Sequence, residues 1–155
     1  MALENVKNYL KQWGFDERVR EFQGSSATVE LAAKVAGVVP GKIAKTLSFK
    51  VDDKCILVVT AGDTKIDNKK YKEKFKTRAK MLSPDDVIKY TGHAVGGVCP
   101  FDIKDESTKV YLDISMKRFE TVLPAAGSSN SCVELTLDEL EVASKFTEWV
   151  DVCKL

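Results

Sequence analysis

Gly41-Lys42-Ile43-Ala44-Lys45-Thr46-Leu47-Ser48-Phe49-Lys50-Val51, the turn Asp52-Asp53-Lys54, and then Cys55-Ile56-Leu57-Val58-Val59-Thr60-Ala61 decide the fold. The second run is continuous, apolar and β-branched, which predicts a central strand covered on both faces. The acidic turn joins it to the first run as a hairpin. Side chains on a strand alternate between faces. Ile43, Lys45, Leu47, Phe49 and Val51 therefore share one face of the first run, and Ala44, Thr46, Ser48 and Lys50 share the other.

Lys45 is the odd member of its face. An ammonium among apolar neighbours is costly unless it finds a partner or reaches water. A lysine near a strand end can keep its stem in the core and put its head into a cleft. Two readings follow: Lys45 snorkels and does nothing else, or it serves a ligand in that cleft.

A second stretch bears on the choice: Thr91-Gly92-His93-Ala94-Val95-Gly96-Gly97-Val98-Cys99-Pro100-Phe101. The glycine pair permits close approach of a ligand to the main chain. Pro100 fixes the exit and donates no hydrogen bond. Such a loop can offer N–H groups to a carbonyl or an oxyanion, although most glycine-rich loops are simply turns.

Together the two stretches resemble the YbaK/EbsC family of aminoacyl-tRNA deacylases, which includes the editing domain of bacterial prolyl-tRNA synthetases and its free-standing relatives. The resemblance rests on Lys45-Thr46 and on Gly96-Gly97-Val98-Cys99-Pro100, read as the family's strand lysine and G-x-x-x-P loop. Thr28-Val29-Glu30-Leu31-Ala32-Ala33, Ala61-Gly62-Asp63 and Ala125-Ala126-Gly127 also match, in order, between about Phe22 and Leu135. It implies a curved, barrel-like mixed sheet flanked by helices. It also implies hydrolysis of misacylated tRNA, with tRNA for proline and a prolyl-tRNA synthetase as the expected partners.

On that resemblance Lys45, Gly96, Gly97 and Pro100 are the expected catalytic set. Lys45 anchors the substrate and the loop positions carbonyl and water. Thr28, Thr46, Val98, Cys99, Ala125, Gly127, Ser128 and Cys132 are the expected substrate contacts. The family's cysteinyl-tRNA branch tends to show Ser-Gly-Gly where this chain has Ala125-Ala126-Gly127, and Asp where it has Cys132. The amino acid removed is therefore open among small ones: alanine, serine or cysteine. An activated ester needs no strong nucleophile, so the absence of a Ser/His/Asp order fits; a hydroxyl of the terminal ribose could assist. Two alternatives compete with this reading. Cys99 with His93 could form a thiol nucleophile and base, or the chain could be a non-catalytic tRNA- or synthetase-binding module.

Composition bounds the rest. The chain has 155 residues, 44% hydrophobic and 30% charged, with net charge +1. That is ordinary for a globular protein, and one domain over 1–155 is expected. Near-neutrality gives no global case for nucleic acid, so the case must be local. Lys65 to Lys80 carries eight basic residues against Asp67 and Glu73. Such a run is a solvated helix face or a phosphate-contacting patch, and the resemblance favours tRNA contacts by Lys65, Lys69, Lys70, Lys72 and Arg78. Cys55, Cys99, Cys132 and Cys153 with the single His93 make a poor zinc set, and no metal or organic cofactor is expected. With no signal-peptide core or membrane-length run, the expected location is cytoplasmic, with no DNA or membrane partner.

Elsewhere, Leu3, Val6, Leu10 and Trp13 are spaced as an amphipathic helix stopped by Gly14. Val19–Phe22 is a short strand. Thr28, Asp67, Ser83 and Thr136 are placed as helix N-caps, the last within a capping box with Glu139. Further strands are expected at 78–82, 110–114, 119–123, 132–135 and 149–152. Strands interspersed with helices and joined mostly as hairpins give an α+β class with a mixed, largely antiparallel sheet.

Overall fold

The computed structural model describes residues 2–26 and 28–155. Its centre is the hairpin of β2 (Ile43–Val51) and β3 (Lys54–Ala61), paired from Ala44↔Ala61 to Val51↔Lys54. This hairpin is the middle of a curled six-stranded sheet. On one side β2 runs parallel to β6 (Thr121–Pro124), which pairs antiparallel with β8 (Leu135–Thr136). On the other, β3 runs parallel to β5 (Lys109–Asp113), and β5 parallel to β9 (Glu148–Val150). Two small antiparallel ladders complete it: β1 (Val19–Glu21) with β7 (Ser131–Val133), and β4 (Lys65–Ile66) with β10 (Cys153–Lys154).

β3 is covered on both faces, and the alternation of its side chains builds two cores. Cys55, Leu57, Val59 and Ala61 join the larger cluster, with Val6 and Leu10 of α1 (Ala2–Leu10) and Leu140 and Ala143 of α5 (Leu137–Ser144). Ile56 and Val58 face the second cluster, with Phe49 and with Tyr71 of α3 (Asn68–Phe75). A third, small cluster holds Ala32 and Ala33 of α2 (Val29–Ala36) against Ile43, Leu123 and Cys132. Burying three or four such side chains on each face removes the strand from water and stabilises it by roughly 1.5–3 kcal/mol per large side chain.

The helix starts are as the sequence implies. Thr28 accepts from Leu31 N, Asp67 from Lys69 N and Lys70 N, and Ser83 from Asp86 N at the head of α4 (Pro84–Thr91). Thr136 and Glu139 form the reciprocal capping box. Other expectations are corrected. The first helix is α-helical only to Leu10 and tightens to a 3₁₀ turn over Lys11–Trp13 before Gly14. Residues 78–82 form an isolated bridge, Phe49↔Met81, instead of a strand. Cys132–Leu135 is two strands, because the chain leaves β1 at Val133 and joins β6 at Leu135. The final stretch stops as a strand at Val150, where Asp113 Oδ1 accepts from Val152 N; the chain then reaches β4. That last pairing, between two-residue strands with no periodicity to read, is invisible in sequence.

Candidate active site

The outer edge of β2 is paired at both ends and open in the middle. At one end Ile43 and Ala44 pair with Leu123 and Pro124 of β6. At the other, Leu82 N donates to Ser48 O (3.3 Å) and Lys50 N to Lys80 O (2.8 Å). Between them Lys45, Thr46 and Leu47, paired with β3 on the inner side, have no neighbouring strand on this outer edge among the described residues. A cavity of about 400 Å³ sits over this gap and wraps around the strand edge. Ile43, Lys45 and Leu47 line it with Val29 and Ala32 of α2. Thr46 and Ser48, on the opposite face of the same strand, line it with Gly96, Val98 and Ala125.

Among the described residues, Lys45 is the only charged side chain lining this cavity. Its ammonium donates to the Thr64 carbonyl, leaving two of its three N–H groups for other partners. Burial holds its pKa below the usual lysine value; the nearby Cys153, Asp63 and Glu30 push the other way. The carboxylate of Asp63 is itself clamped by Arg118 through two hydrogen bonds, 2.6 and 3.0 Å. Asp63 therefore biases Lys45 at a distance without neutralising it by contact.

The glycine loop sits opposite, but only part of it faces the cavity. Val95, Gly96 and Val98 are in the lining. Gly97 is buried behind them, its N–H donating to Ala94 O at 3.0 Å. A Cβ on Gly97 would lie 2.8–2.9 Å from the Ser128 backbone, so the glycine lets this loop pack directly on the 125–130 turn. Pro100 is buried and outside the lining. Gly127, with φ 95°, packs against Ala2 and Val6, away from the cavity. Ser128 is also outside it, its hydroxyl bonded with Ser131 Oγ (2.6 Å) and Asn130.

Thr28, Thr46, Val98, Ala125 and Cys132 do reach the cavity. Thr28 divides its role, since its hydroxyl caps α2. Thr46 Oγ1 is buried without a partner. Sequence reading missed the apolar wall from Met81, Leu82 and Val87, and Ser26 and Ser131 beside the turn. Alternation from Cys132 could not have found Ser131, because neighbours on a strand are expected on opposite faces, yet both line the cavity.

Cys99 lies in the core, fully buried and outside the cavity. Burial pushes its thiol up to about 12. His93 Nε2 is 2.8 Å from Phe101 O, which can only accept, so that nitrogen carries the proton. Cys99 Sγ is 3.5 Å from the same nitrogen, which cannot then act as its base. Burial also holds His93 below its ordinary pKa. The pair closes the base of the glycine loop and offers no thiolate. On the hydrolase expectation from sequence, Cys99→Ala should keep ester hydrolysis within about twofold, and it should lower stability by about 1–2 kcal/mol, the cost of a small buried void. Parallel deacylation assays and urea unfolding check this, and loss of turnover in a folded variant would restore the thiol mechanism.

The basic stretch divides. Lys70 is bound to Asp151 (3.0 Å) and Cys153 O, and Lys74 to Glu148 (2.6 Å). Lys65, Lys69, Lys72 and Arg78 are exposed with no ion pair among the described residues. No helix among them is long and apolar enough to cross a membrane.

Comparison with known proteins bears on the family and the fold. The family model for the aminoacyl-tRNA editing domain matches residues 24–142. The Bacillus subtilis (strain 168) protein named "Uncharacterized protein YwhH" is 52% identical over 99% of this chain and 98% of its own. A proline–tRNA ligase of Caldicellulosiruptor bescii is 28% identical over 85% of this chain, which spans 23% of that enzyme. A crystal structure described as that of a candidate trans-editing enzyme for prolyl tRNA synthetase superposes with a TM-score of 0.88 at 25% identity, covering 99% of this chain and 98% of that one.

Proposed function

Because this chain belongs to the aminoacyl-tRNA editing domain family, we propose that it is a trans-editing hydrolase that cleaves the ester of misacylated tRNA, with tRNA for proline carrying alanine, serine or cysteine as its substrate. The observation that carries the reading is the meeting of Lys45 with Gly96 and Val98 in one cavity, from stretches some fifty residues apart in sequence. The Lys45 ammonium in the cavity suits the anionic, oxygen-rich end of a charged tRNA. The cavity's lining of small and aliphatic side chains suits an amino acid whose side chain is uncharged and of limited size. Steric exclusion of that kind rejects larger side chains and discriminates poorly among smaller ones.

In the reaction, water adds to the ester carbonyl carbon and the carbonyl π pair moves onto oxygen. On collapse the carbonyl re-forms, the bond to the ribose oxygen breaks, and that oxygen leaves with the electron pair and takes up the proton released by the attacking water. Free amino acid and uncharged tRNA result. Lys45 anchors the substrate, the Gly96–Val98 rim positions carbonyl and water, and a terminal ribose hydroxyl assists. The work is positioning and electrostatics. The proposed setting is the cytoplasm, with a prolyl-tRNA synthetase as docking partner. The proposal is tested by offering the protein tRNA for proline charged separately with alanine, serine, cysteine and proline. Rapid loss of a non-cognate ester with prolyl-tRNA spared is expected. Tight binding of charged tRNA without cleavage would establish the binding-module reading instead.

The free cations of the basic stretch lead to a further expectation. Replacing Lys69, Lys72 and Arg78 together by Gln should raise KM for charged tRNA several-fold and leave kcat unchanged. If all three contact phosphates, the dependence of log affinity on log salt should become shallower by about 2 to 3. An unchanged salt slope would return these residues to the role of a solvated helix face.

A further inference from the structure

The open segment of β2 has a direction that the ladder fixes. In an antiparallel pair, alternate residues turn their N–H and C=O toward the partner and the intervening ones turn them away. Ser48 O and Lys50 N are engaged on the outer side, and the β2–β3 register is continuous from Ala44 to Val51. Thr46, two residues before Ser48, therefore turns both its N–H and its C=O outward, into the gap where the pairing with β6 has ended and that with Leu82 has not begun. Its hydroxyl is buried without a partner. Thr46 is only half-buried, so these outward-facing backbone groups are accessible from the cavity to a partner that could complete the edge as a strand would. Gly97, meanwhile, already donates its N–H to Ala94 O, which leaves the loop short of one donor the sequence would assign to it.

We propose that the edge of β2 at Thr46 reads the aminoacyl group as if it were one residue of a neighbouring antiparallel strand. This rests on the hydrolase reading above and adds to it how the substrate is held. An aminoacyl ester carries its α-nitrogen and carbonyl oxygen on either side of one Cα, the spacing of a single strand residue. The substrate's α-ammonium donates to Thr46 O, and Thr46 N–H donates to the ester carbonyl oxygen. That second bond strengthens as the oxygen gains negative charge during water addition, so it acts on kcat more than on binding. Opposed residues of an antiparallel pair put their side chains on the same face. The side chain of an L-amino acid then lies on the Thr46 side of the strand, toward Val98 and Ala125, and that of a D-amino acid on the Lys45 side.

The test replaces the N–H without adding bulk. Thr46 is exchanged for its α-hydroxy acid analogue, which converts one backbone amide to an ester; a Thr46→Val variant separately removes only the hydroxyl. Both are assayed on whichever of alanyl-, seryl- or cysteinyl-tRNA for proline the wild type hydrolyses, and on its deaminated counterpart (propionyl, 3-hydroxypropionyl or 3-mercaptopropionyl). Rates are divided by spontaneous hydrolysis of each ester, and urea unfolding confirms that the variants are folded. The expected result is about a 100-fold fall in kcat for the backbone ester with KM within about twofold, the scale of one lost oxyanion donor. Thr46→Val should lose less, and the deaminated ester should lose at least about tenfold in rate enhancement. A folded backbone-ester variant with wild-type kcat, or equal enhancement on the deaminated ester, overturns the inference and leaves the hydrolase reading standing. A wild type inert on every aminoacyl-tRNA overturns both.

Discussion

Lys45→Met should lose about 100-fold in kcat/KM for deacylation, equivalent to about 2.7 kcal/mol of transition-state stabilisation, while remaining folded. Methionine keeps the apolar stem and removes the ammonium, which separates the two roles the strand pattern allows. If Lys45 only snorkels, the variant is active. If it anchors the substrate, the variant is inactive and no less stable than wild type by more than about 1 kcal/mol. The stability expectation follows from the sign of its pKa shift. Burial lowers the folded-state value below 10.5, so the folded chain holds that proton less tightly than the unfolded chain. At neutral pH the charged lysine is thus a cost to folding that methionine lacks. This offsets the loss of the hydrogen bond to Thr64 O. Deacylation rates with thermal melts across pH 6–9 check both statements, and wild-type turnover by Lys45→Met would remove the lysine from the mechanism. Lys45→Arg is expected to rescue poorly, since the guanidinium is planar and presents its donors in a rigid fork, where the ammonium is a compact point charge.

Gly62→Ala is expected to be strongly destabilising. The added Cβ would lie 2.3 Å from Pro40 O, 2.7 Å from Val29 Cγ1 and 3.0 Å from Ile43 O. Two of the three contacts are backbone, so relief requires moving the chain at the start of β2 or the end of β3. The cost is about 3 kcal/mol, the upper range for overpacking, which lowers the melting temperature by roughly 6–12 °C in a domain of this size. Val29 and Ile43 both line the cavity, so the surviving folded fraction should also show a raised KM. A melting temperature within about 2 °C of wild type would mean that α2 yields easily and that the cavity wall is soft.

These two residues show how differently parts of the site could be read. The strand period fixed which face Lys45 occupies, and the hairpin around Asp52-Asp53 followed from turn chemistry. Lys45 was visible because a charge on an apolar face violates a local rule. Gly62 was only one member of a matched tripeptide, because nothing in Ala61-Gly62-Asp63 says that Pro40 and Val29 will stand over it. The glycine loop was legible as a loop, but its inside and outside were not. Gly96 and Val98 face the cavity while Gly97 and Pro100 support it from behind, a distinction that depends on the 125–130 turn packed against them.

The amino-acid sequence by itself determined the central hairpin, the helix caps at Thr28, Asp67, Ser83 and Thr136, and the likeness to an editing domain, because each is carried by neighbours within a few residues. Only the tertiary structure decided where the sheet is left open. The gap beside Thr46 exists because β6 stops pairing at Pro124 and the Met81 segment begins at Ser48. Those partners lie some thirty to eighty residues away, so no periodicity in β2 could record their absence. Tertiary packing likewise buried Cys99 outside the cavity lining and left exposed lysines near paired ones in one basic run. Partner availability in space is a property of the folded chain, and the site this fold presents is defined by it.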